Sequence, residues 1–522
     1  MRNLSLYLTL GALSLLVGLV ADANPQAPES QPAPLTIQTM ILATGRAGNA
    51  YSYTVAVSGG TKPYKFAATG VPAGLELDAE TGNISGDPLS SAVGWRTVSV
   101  KVTDSTKPAM LTASKSLSLP INLPASKEVC GQLNVGPNAN LHGFLPFGAG
   151  SAWNTDISNA PLDPDNATIV STPGFAGNHL HPDFSGPDYG NAGIPYVVTD
   201  SSSQPLVPIG MVDAYTDESD IAVAPYPVNA LIEGYPPDCA AGGWPSDYQG
   251  DAHVLVIDRN TCFLYETFNT HRCQGKWNAE QETVWDLTKA ENRPWGWTSA
   301  DAAGLSILAG LLKYDEVASG SVNHAIRFTM EHTKDDSNDG YFVEPASHAA
   351  GNIWGVPFVM GMRVRLKASF DISGFSKMNQ AILTAMKKYG MILADNGGYF
   401  FFQGAPDPRW NDNDLDNLKS IDSSNFEVVK MTPGWPGWDS GTAPTGAPPA
   451  IHTFAASATG VKAGTAVTLS WSATGDSYDF IDKVGGVRGG SVIVHPTATT
   501  TYTLNATNQY GRSTAKLMVR VE

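Results

Sequence analysis

Residues 253–266 read HVLVIDRNTCFLYE, two apolar-rich runs separated by the polar stretch Asp258-Arg259-Asn260-Thr261, whose chemistry suits a turn. The pattern predicts a β-hairpin. With Asp258 to Thr261 as the turn, Ile257 lies opposite Cys262, Leu255 opposite Leu264, and His253 opposite Glu266. The last two would then face each other at about 5 Å between Cβ atoms. Val254, Val256, Phe263 and Tyr265 occupy the other side, so both faces of the hairpin are expected to be covered by protein or ligand. A His and a Glu on an apolar surface have two readings: an acid–base pair in a cleft, or a satisfied buried hydrogen bond.

Outward from the hairpin, further strand signals run through PYVVTD, AIRFTM and MRVRLKASF. Two helices are predicted among them. One starts at Thr298, with Asp301 three residues on as a capping partner, and continues through AAGLSILAGLL. The other spans Ser376 to Tyr389, with Met378, Ile382, Ala385, Met386 and Tyr389 on one face and Gly390 as its stop. Residues 127–431 therefore read as a β-rich domain with a few helices, built as a large sandwich or jelly roll.

Shorter β-modules flank it. Residues 35–124 contain YSYTVAVSGGTKPYKFAATGVPAGLELDAETGNISGDP and RTVSVKVTDS, and on these residues the segment resembles the immunoglobulin-like repeats of bacterial secreted proteins. The resemblance implies a β-sandwich that serves as a spacer or adhesive module. Residues 449–522 alternate in the same way around Val467, Leu469 and Trp471 and also resemble an immunoglobulin-like sandwich. A Pro- and Gly-rich linker, residues 432–448, joins this module to the central domain. The central domain is similar to a group of secreted bacterial proteins sharing GDAHVLVIDRNTCFLYE, WGWTSADAAGLSILAGLLKYDEV, HAIRF, KKYGMILADNGG and DPRWND. That likeness implies no particular activity. The fold class is thus mainly β: two immunoglobulin-like sandwiches around a larger β-rich domain.

The N-terminus fixes the expected compartment. Arg2, the apolar run Leu4–Val20 and the small residues Ala21 and Ala23 form a secretory leader, residues 1–23, with cleavage before Asn24. A polar linker follows at residues 24–34, and no transmembrane anchor is expected in the mature chain. A secreted protein with four cysteines reads as two disulfides, and the local loop favours Cys262 with Cys273, leaving Cys130 with Cys239. A four-thiolate metal site lacks the usual paired spacing. The net charge of −17, without a basic stripe, excludes nucleic acid as a partner.

The candidate chemistry lies in the central domain. Glu266, His253, Asp301, Asp315 and Glu316 are the candidate acid, base or nucleophile residues, because glycoside hydrolysis runs on paired carboxylates. Asp301 has an alternative task in helix capping, and Asp315 and Glu316 an alternative in starting a turn. Arg327, Arg363, Arg365 and Lys367, which alternate on strands, and Arg409 are candidates to grip an acidic sugar, with Trp295, Trp297, Tyr399 or Trp410 stacking on it; ordinary solvated strand faces are the other reading. His179, His181 and Asp183, spaced H-x-H-x-D, are weaker metal candidates. No cofactor motif occurs.

The leading expectation is a secreted polysaccharide-active enzyme, a glycoside hydrolase acting on a polysaccharide or cell-surface glycan. An isolated central domain is expected to carry any activity. A non-catalytic adhesin or carbohydrate-binding protein is the alternative, and a metal-dependent extracellular enzyme the third. An enzyme requires converging acid and base groups, whereas a binder requires an open aromatic face.

Overall fold

The computed structural model describes residues 33–522 apart from 40–41, 43–44, 47–50, 90–91, 93, 123–126, 149–150, 213–214, 235–238, 240–249, 290–292, 335–341, 352, 354 and 433–445. The leader, most of the first linker and most of the second lie outside the described residues. No described helix is long and apolar enough to cross a membrane.

Strand alternation in residues 33–122 produces two facing sheets. Gly94–Thr103 and Thr112–Asn122 pair along their length, and Lys65–Thr69 and Gly45–Arg46 extend that sheet. Tyr51–Thr54, Asn83–Gly86 and Leu75–Leu77 form the opposing one. Val98, Val100, Val102, Leu117 and Leu119 point inward at period two and are buried with Phe66 and Ile84.

The 253–266 hairpin sits inside a five-stranded sheet ordered Gly136–Pro137, Tyr196–Thr199, Val254–Asp258, Phe263–Phe268, Gln281–Asp286. Both of its faces are covered. Leu255, Ile257, Leu264 and Trp285 join the main core, which they share with a six-stranded mixed sheet. Val254, Val256, Phe263, Tyr265 and Val284 face a second core containing Tyr226, Trp277 and, from the C-terminal module, Tyr478 and Phe480.

The hairpin register differs from the expected one by two residues: Asp258 pairs with Phe263, Ile257 with Leu264 and Leu255 with Glu266. Cys262 joins the turn in a left-handed conformation, φ 58°. A two-residue slip preserves which face each side chain takes, so the two-sided burial survives while His253 and Glu266 no longer stand opposite one another.

Of the two predicted helices, Lys377–Lys388 forms with Ser376 as its cap, the hydroxyl accepting from Asn379 N at 3.1 Å. The other shrinks to Ile307–Gly310. Gly304 is left-handed at φ 70°, and the Ser299 hydroxyl donates to the Asp301 and Leu305 carbonyls at 2.9 and 2.6 Å, so residues 298–306 spend their backbone groups on local turns.

Both disulfides also differ from the expected pairing. They join Cys130 to Cys262 and Cys239 to Cys273. Cys262 and Cys273 lie beyond opposite ends of the strand Phe263–Phe268, a six-residue run of roughly 20 Å at about 3.3 Å per residue, too far to bridge. Cys262 instead points into the main core, where the short helix Lys127–Cys130 meets it.

The C-terminal sandwich is docked tightly. Asp220, fully buried, accepts from Arg293 Nη1 at 2.8 Å, the Tyr478 hydroxyl at 3.0 Å and Val284 N at 3.0 Å, and also pairs with Arg512. Arg512 and Tyr478 belong to the sandwich. Arg488 pairs with Asp286 and lies over Phe263, and Gly486 N donates to the Tyr265 hydroxyl at 2.9 Å. A Cβ on Gly486 would stand 2.3 Å from the Phe263 ring, so only glycine permits this approach. A fragment ending near residue 431 would uncover part of the second core, where Tyr478 and Phe480 pack. Asp220→Ala strands the buried Arg293 and the partly buried Arg512 and is expected to cost about 3–5 kcal/mol in chemical denaturation; an unchanged midpoint would show that Asp220 contributes nothing to stability.

Candidate functional site

The six-stranded sheet runs His181–Asp183, Phe401–Gln403, Ile326–Met330, Met391–Asn396, Arg363–Leu366, Phe426–Val428. Its first four strands each contribute one polar side chain to a single cluster: Asp183, Gln403, Arg327 and Asp395. Arg327 is the hub and is fully buried. Its Nη2 and Nε donate to the two oxygens of Asp301 at 2.6 and 3.1 Å, its Nη1 donates to Gln403 Oε1 at 2.6 Å, and Asp395 lies 3.5 Å from Nη2. The Gln403 amide passes the contact on, donating to Asp183 at 3.4 Å.

Asp395 reaches the hub because the strand pairing is irregular. Phe328 pairs with Leu393 but Thr329 pairs with Asp395, so Ala394 is an extra residue. The bulge turns Asp395 onto the Arg327 face, where regular alternation would have sent it to the other side.

From the facing sheet comes His253. Its Nδ1 lies 2.6 Å from Glu233 Oε2 and its Nε2 lies 2.9 Å from the Ala300 carbonyl. Both neighbours are acceptors, so both ring nitrogens carry protons and His253 is an imidazolium. Burial disfavours that charge, but the Glu233 carboxylate overrides it and lifts the His253 pKa to about 9. Glu233 is held below the usual carboxylate range despite burial, because His253 and then Arg327 favour its anion.

Asp395 responds in the opposite sense. Burial, followed by the charge of Asp301, pushes its carboxyl well above the ordinary value. Asp183 is also pushed up, first by burial and further by Glu233. The cluster thus places carboxylates with opposed proton affinities around one buried guanidinium, a division characteristic of acid–base sites. Two of its members are partly exposed: the side chains of Glu233 and Asp395 are 26% and 18% exposed. Asp251, which acts electrostatically on both His253 and Asp395, is exposed at the rim.

Of the residues singled out from sequence, His253, Asp301, Arg327 and Asp183 meet here. Glu266 does not. It is fully buried and accepts from the Trp285 indole at 2.8 Å, the Ser306 hydroxyl at 3.2 Å, and the backbone N–H groups of Ile307 and Leu308 at 3.1 and 2.8 Å. Burial nevertheless raises its pKa to about 7. Three of these donors tie it to the start of the short helix Ile307–Gly310 and the fourth, Trp285, to the neighbouring strand.

Glu316 accepts from Lys313 N at 2.8 Å, closing the first turn of Tyr314–Ala318, and meets His324 at 3.1 Å. Asp315 is paired with Arg409, which also binds Asp407 and lies over Tyr314. Trp410 is buried against Phe184 and Tyr314 and presents no open face. Trp297 lies beneath Arg293 and Arg512 at the module junction.

His181 stacks on Phe401 at 3.9 Å, while His179 is bridged to Asp422. Neither joins Asp183 in a ligand set, and no group of three potential ligands arranged for a metal occurs among the described residues. Glu233, Asp251, Asp395 and Gln403 were not legible as site residues: none lies in a catalytic motif, and only the bulge aims Asp395 correctly.

Residues 33–122 match the family model described as Putative Ig domain. No curated protein sequence matches the chain. Among solved structures, a putative alpha-galactosidase from Bacteroides fragilis shares 24% identity over 19% of this chain and 23% of its own, with a TM-score of 0.15. An endo-fucoidan hydrolase of glycoside hydrolase family 107 shares 20% over 17% of this chain and 14% of its own, at 0.14. The N-terminal eight Ig domains of Down Syndrome Cell Adhesion Molecule share 8% over 93% of this chain and 50% of that one, at 0.17. The chain therefore spans under a quarter of the two glycosidase-named structures.

The His253–Glu233 pair makes stability depend on pH. A histidine raised from 6.5 to about 9 contributes fully below pH 6.5 and loses that contribution as pH rises through 9. Urea unfolding at pH 6, 8 and 10 should show the advantage of the native protein over His253→Gln shrinking by about 3 kcal/mol across that window. A pH-independent difference would contradict a charged His253.

Proposed function

We propose that the protein is a secreted polysaccharide-active enzyme, a glycoside hydrolase whose acid–base machinery is the Arg327-centred cluster. The observation that carries this reading is the opposed tuning of two partly exposed carboxyl groups, Asp395 raised and Glu233 lowered. Asp395, whose carboxyl is pushed up by burial and by Asp301, gives its proton to the departing glycosidic oxygen. Glu233, held as an anion by His253, serves the anomeric carbon as nucleophile or as base on the attacking water; either route breaks one C–O bond and consumes one water. Arg327 and Asp301 hold the geometry through their paired hydrogen bonds and are positioning residues. The two disulfides favour an oxidising compartment, in keeping with export.

The carbohydrate-binding alternative requires an open aromatic face. Trp410 is buried and Trp297 is covered by arginines, which removes two of the four aromatic faces that alternative was based on.

The full chain should release reducing ends from at least one member of a polysaccharide panel. Asp395→Asn and Glu233→Gln should each lower turnover about 100-fold or more while circular dichroism stays native. The native pH profile should fall on the acid side as Glu233 protonates and on the alkaline side as Asp395 ionises. Tight binding without bond cleavage across the panel would overturn the catalytic reading in favour of a binding protein.

A further inference from the structure

A concavity of about 620 Å³ lies where the central domain meets the C-terminal sandwich. Its volume falls within the roughly 300–1,000 Å³ of small-ligand sites. The central domain contributes Thr155, Trp295, Glu344, Arg363 and Lys430 to its wall, and the sandwich contributes Gln509. The junction holding it together is ordered: Trp295 N donates to the Gln509 carbonyl at 2.9 Å, and the Tyr510 ring meets Trp295 edge-on at 5.2 Å.

The charges around this cavity are unbalanced. Arg293 is neutralised by Asp220. Arg363 is different: Nε donates to the Tyr389 carbonyl at 2.8 Å and Nη2 to the Thr155 carbonyl at 3.1 Å, both neutral acceptors. Asp156 influences it electrostatically but pairs with Lys388 at 3.9 Å. Burial lowers the Arg363 pKa to about 10, the behaviour of a guanidinium without a carboxylate in contact. Lys430 is exposed at the same wall, and among the described residues neither cation has an ion-pair partner. The one acidic group of the lining, Glu344, is pushed toward its neutral form by burial.

We propose that this junction cavity binds an anionic sugar unit, its carboxylate or sulfate group held between Arg363 and Lys430 and its ring set against Trp295. Hydroxyl groups of such a unit would meet Thr155, Glu344 and Gln509, the polar part of the wall. A planar guanidinium beside a mobile ammonium suits either oxyanion. Because its lining includes Gln509, the docked C-terminal module completes the cavity. The proposal does not rest on the acid–base assignment at the Arg327 cluster.

The test is titration of the full-length protein by calorimetry, with tryptophan fluorescence as a second readout. The probes are oligogalacturonate for the carboxylate source, sulfated dextran oligomers for the sulfate source, and neutral dextran oligomers. Saturable binding of at least one anionic probe is expected, weakened several-fold between 20 mM and 200 mM salt, as for partly exposed charge pairs at roughly these concentrations. Lys430→Gln, at an exposed position, should weaken it about tenfold without altering the melting temperature, and Arg363→Lys should weaken it while keeping a cation in place. The two anionic arms distinguish carboxylate from sulfate recognition. The proposal is overturned if neither anionic probe binds, if neutral dextran binds equally well, or if Lys430→Gln leaves the affinity unchanged.

Discussion

Burial of the 254–268 hairpin on both faces is the constraint on which the rest of the molecule depends. One face closes the main core against the six-stranded sheet; the other requires Tyr478 and Phe480 of the C-terminal sandwich to complete its cover. A sheet that is apolar on both sides cannot remain half solvated, so the third module is part of the central domain's folding problem. The Arg293–Asp220–Arg512 arrangement adds orientation to that apolar contact, because a buried carboxylate shared by two guanidiniums has few alternative geometries.

The same layering produces the candidate site. Four neighbouring strands deliver Asp183, Gln403, Arg327 and Asp395 to one end of the sheet, and the facing sheet closes over them with His253. Five nearby carboxyl groups, Asp183, Glu233, Asp251, Asp301 and Asp395, are set against the two cations Arg327 and His253. They cannot all ionise at equal cost in a poorly hydrated setting. The proton affinities therefore divide, with those of Asp395 and Asp183 raised by burial and neighbouring carboxylates and that of Glu233 lowered by His253. Acid–base competence here is a consequence of an acidic excess around a buried cation.

Local pattern made much of the scaffold legible. Alternation identified the strands through Val254, Phe263, Ile326 and Arg363, and an amphipathic run from Ser376 to Tyr389 located the helix Lys377–Lys388. The errors have a common origin. Cys262 with Cys273 was the economical pairing by sequence distance, yet a strand of six residues carries the two apart. The segment after Thr298 has helical composition, but Asp301 is committed to Arg327, 26 residues away, and Gly304 takes a left-handed turn. Glu266 looked like an acid facing His253, but its donors come from the residues around position 307.

The sequence by itself determined the class of the molecule: β-rich modules, an excess of acidic residues, and a hairpin that needs cover on both sides. Those properties follow from composition and short-range periodicity, which depend on backbone geometry over a few residues. Tertiary structure alone decided which cysteines meet, which module covers the hairpin, and which carboxyl groups surround Arg327. Such choices depend on contacts between residues up to hundreds of positions apart, and on a single-residue bulge at Ala394 that no local period records. Proton affinity is decided at that same level, since burial and neighbouring charge exist only once the chain is folded.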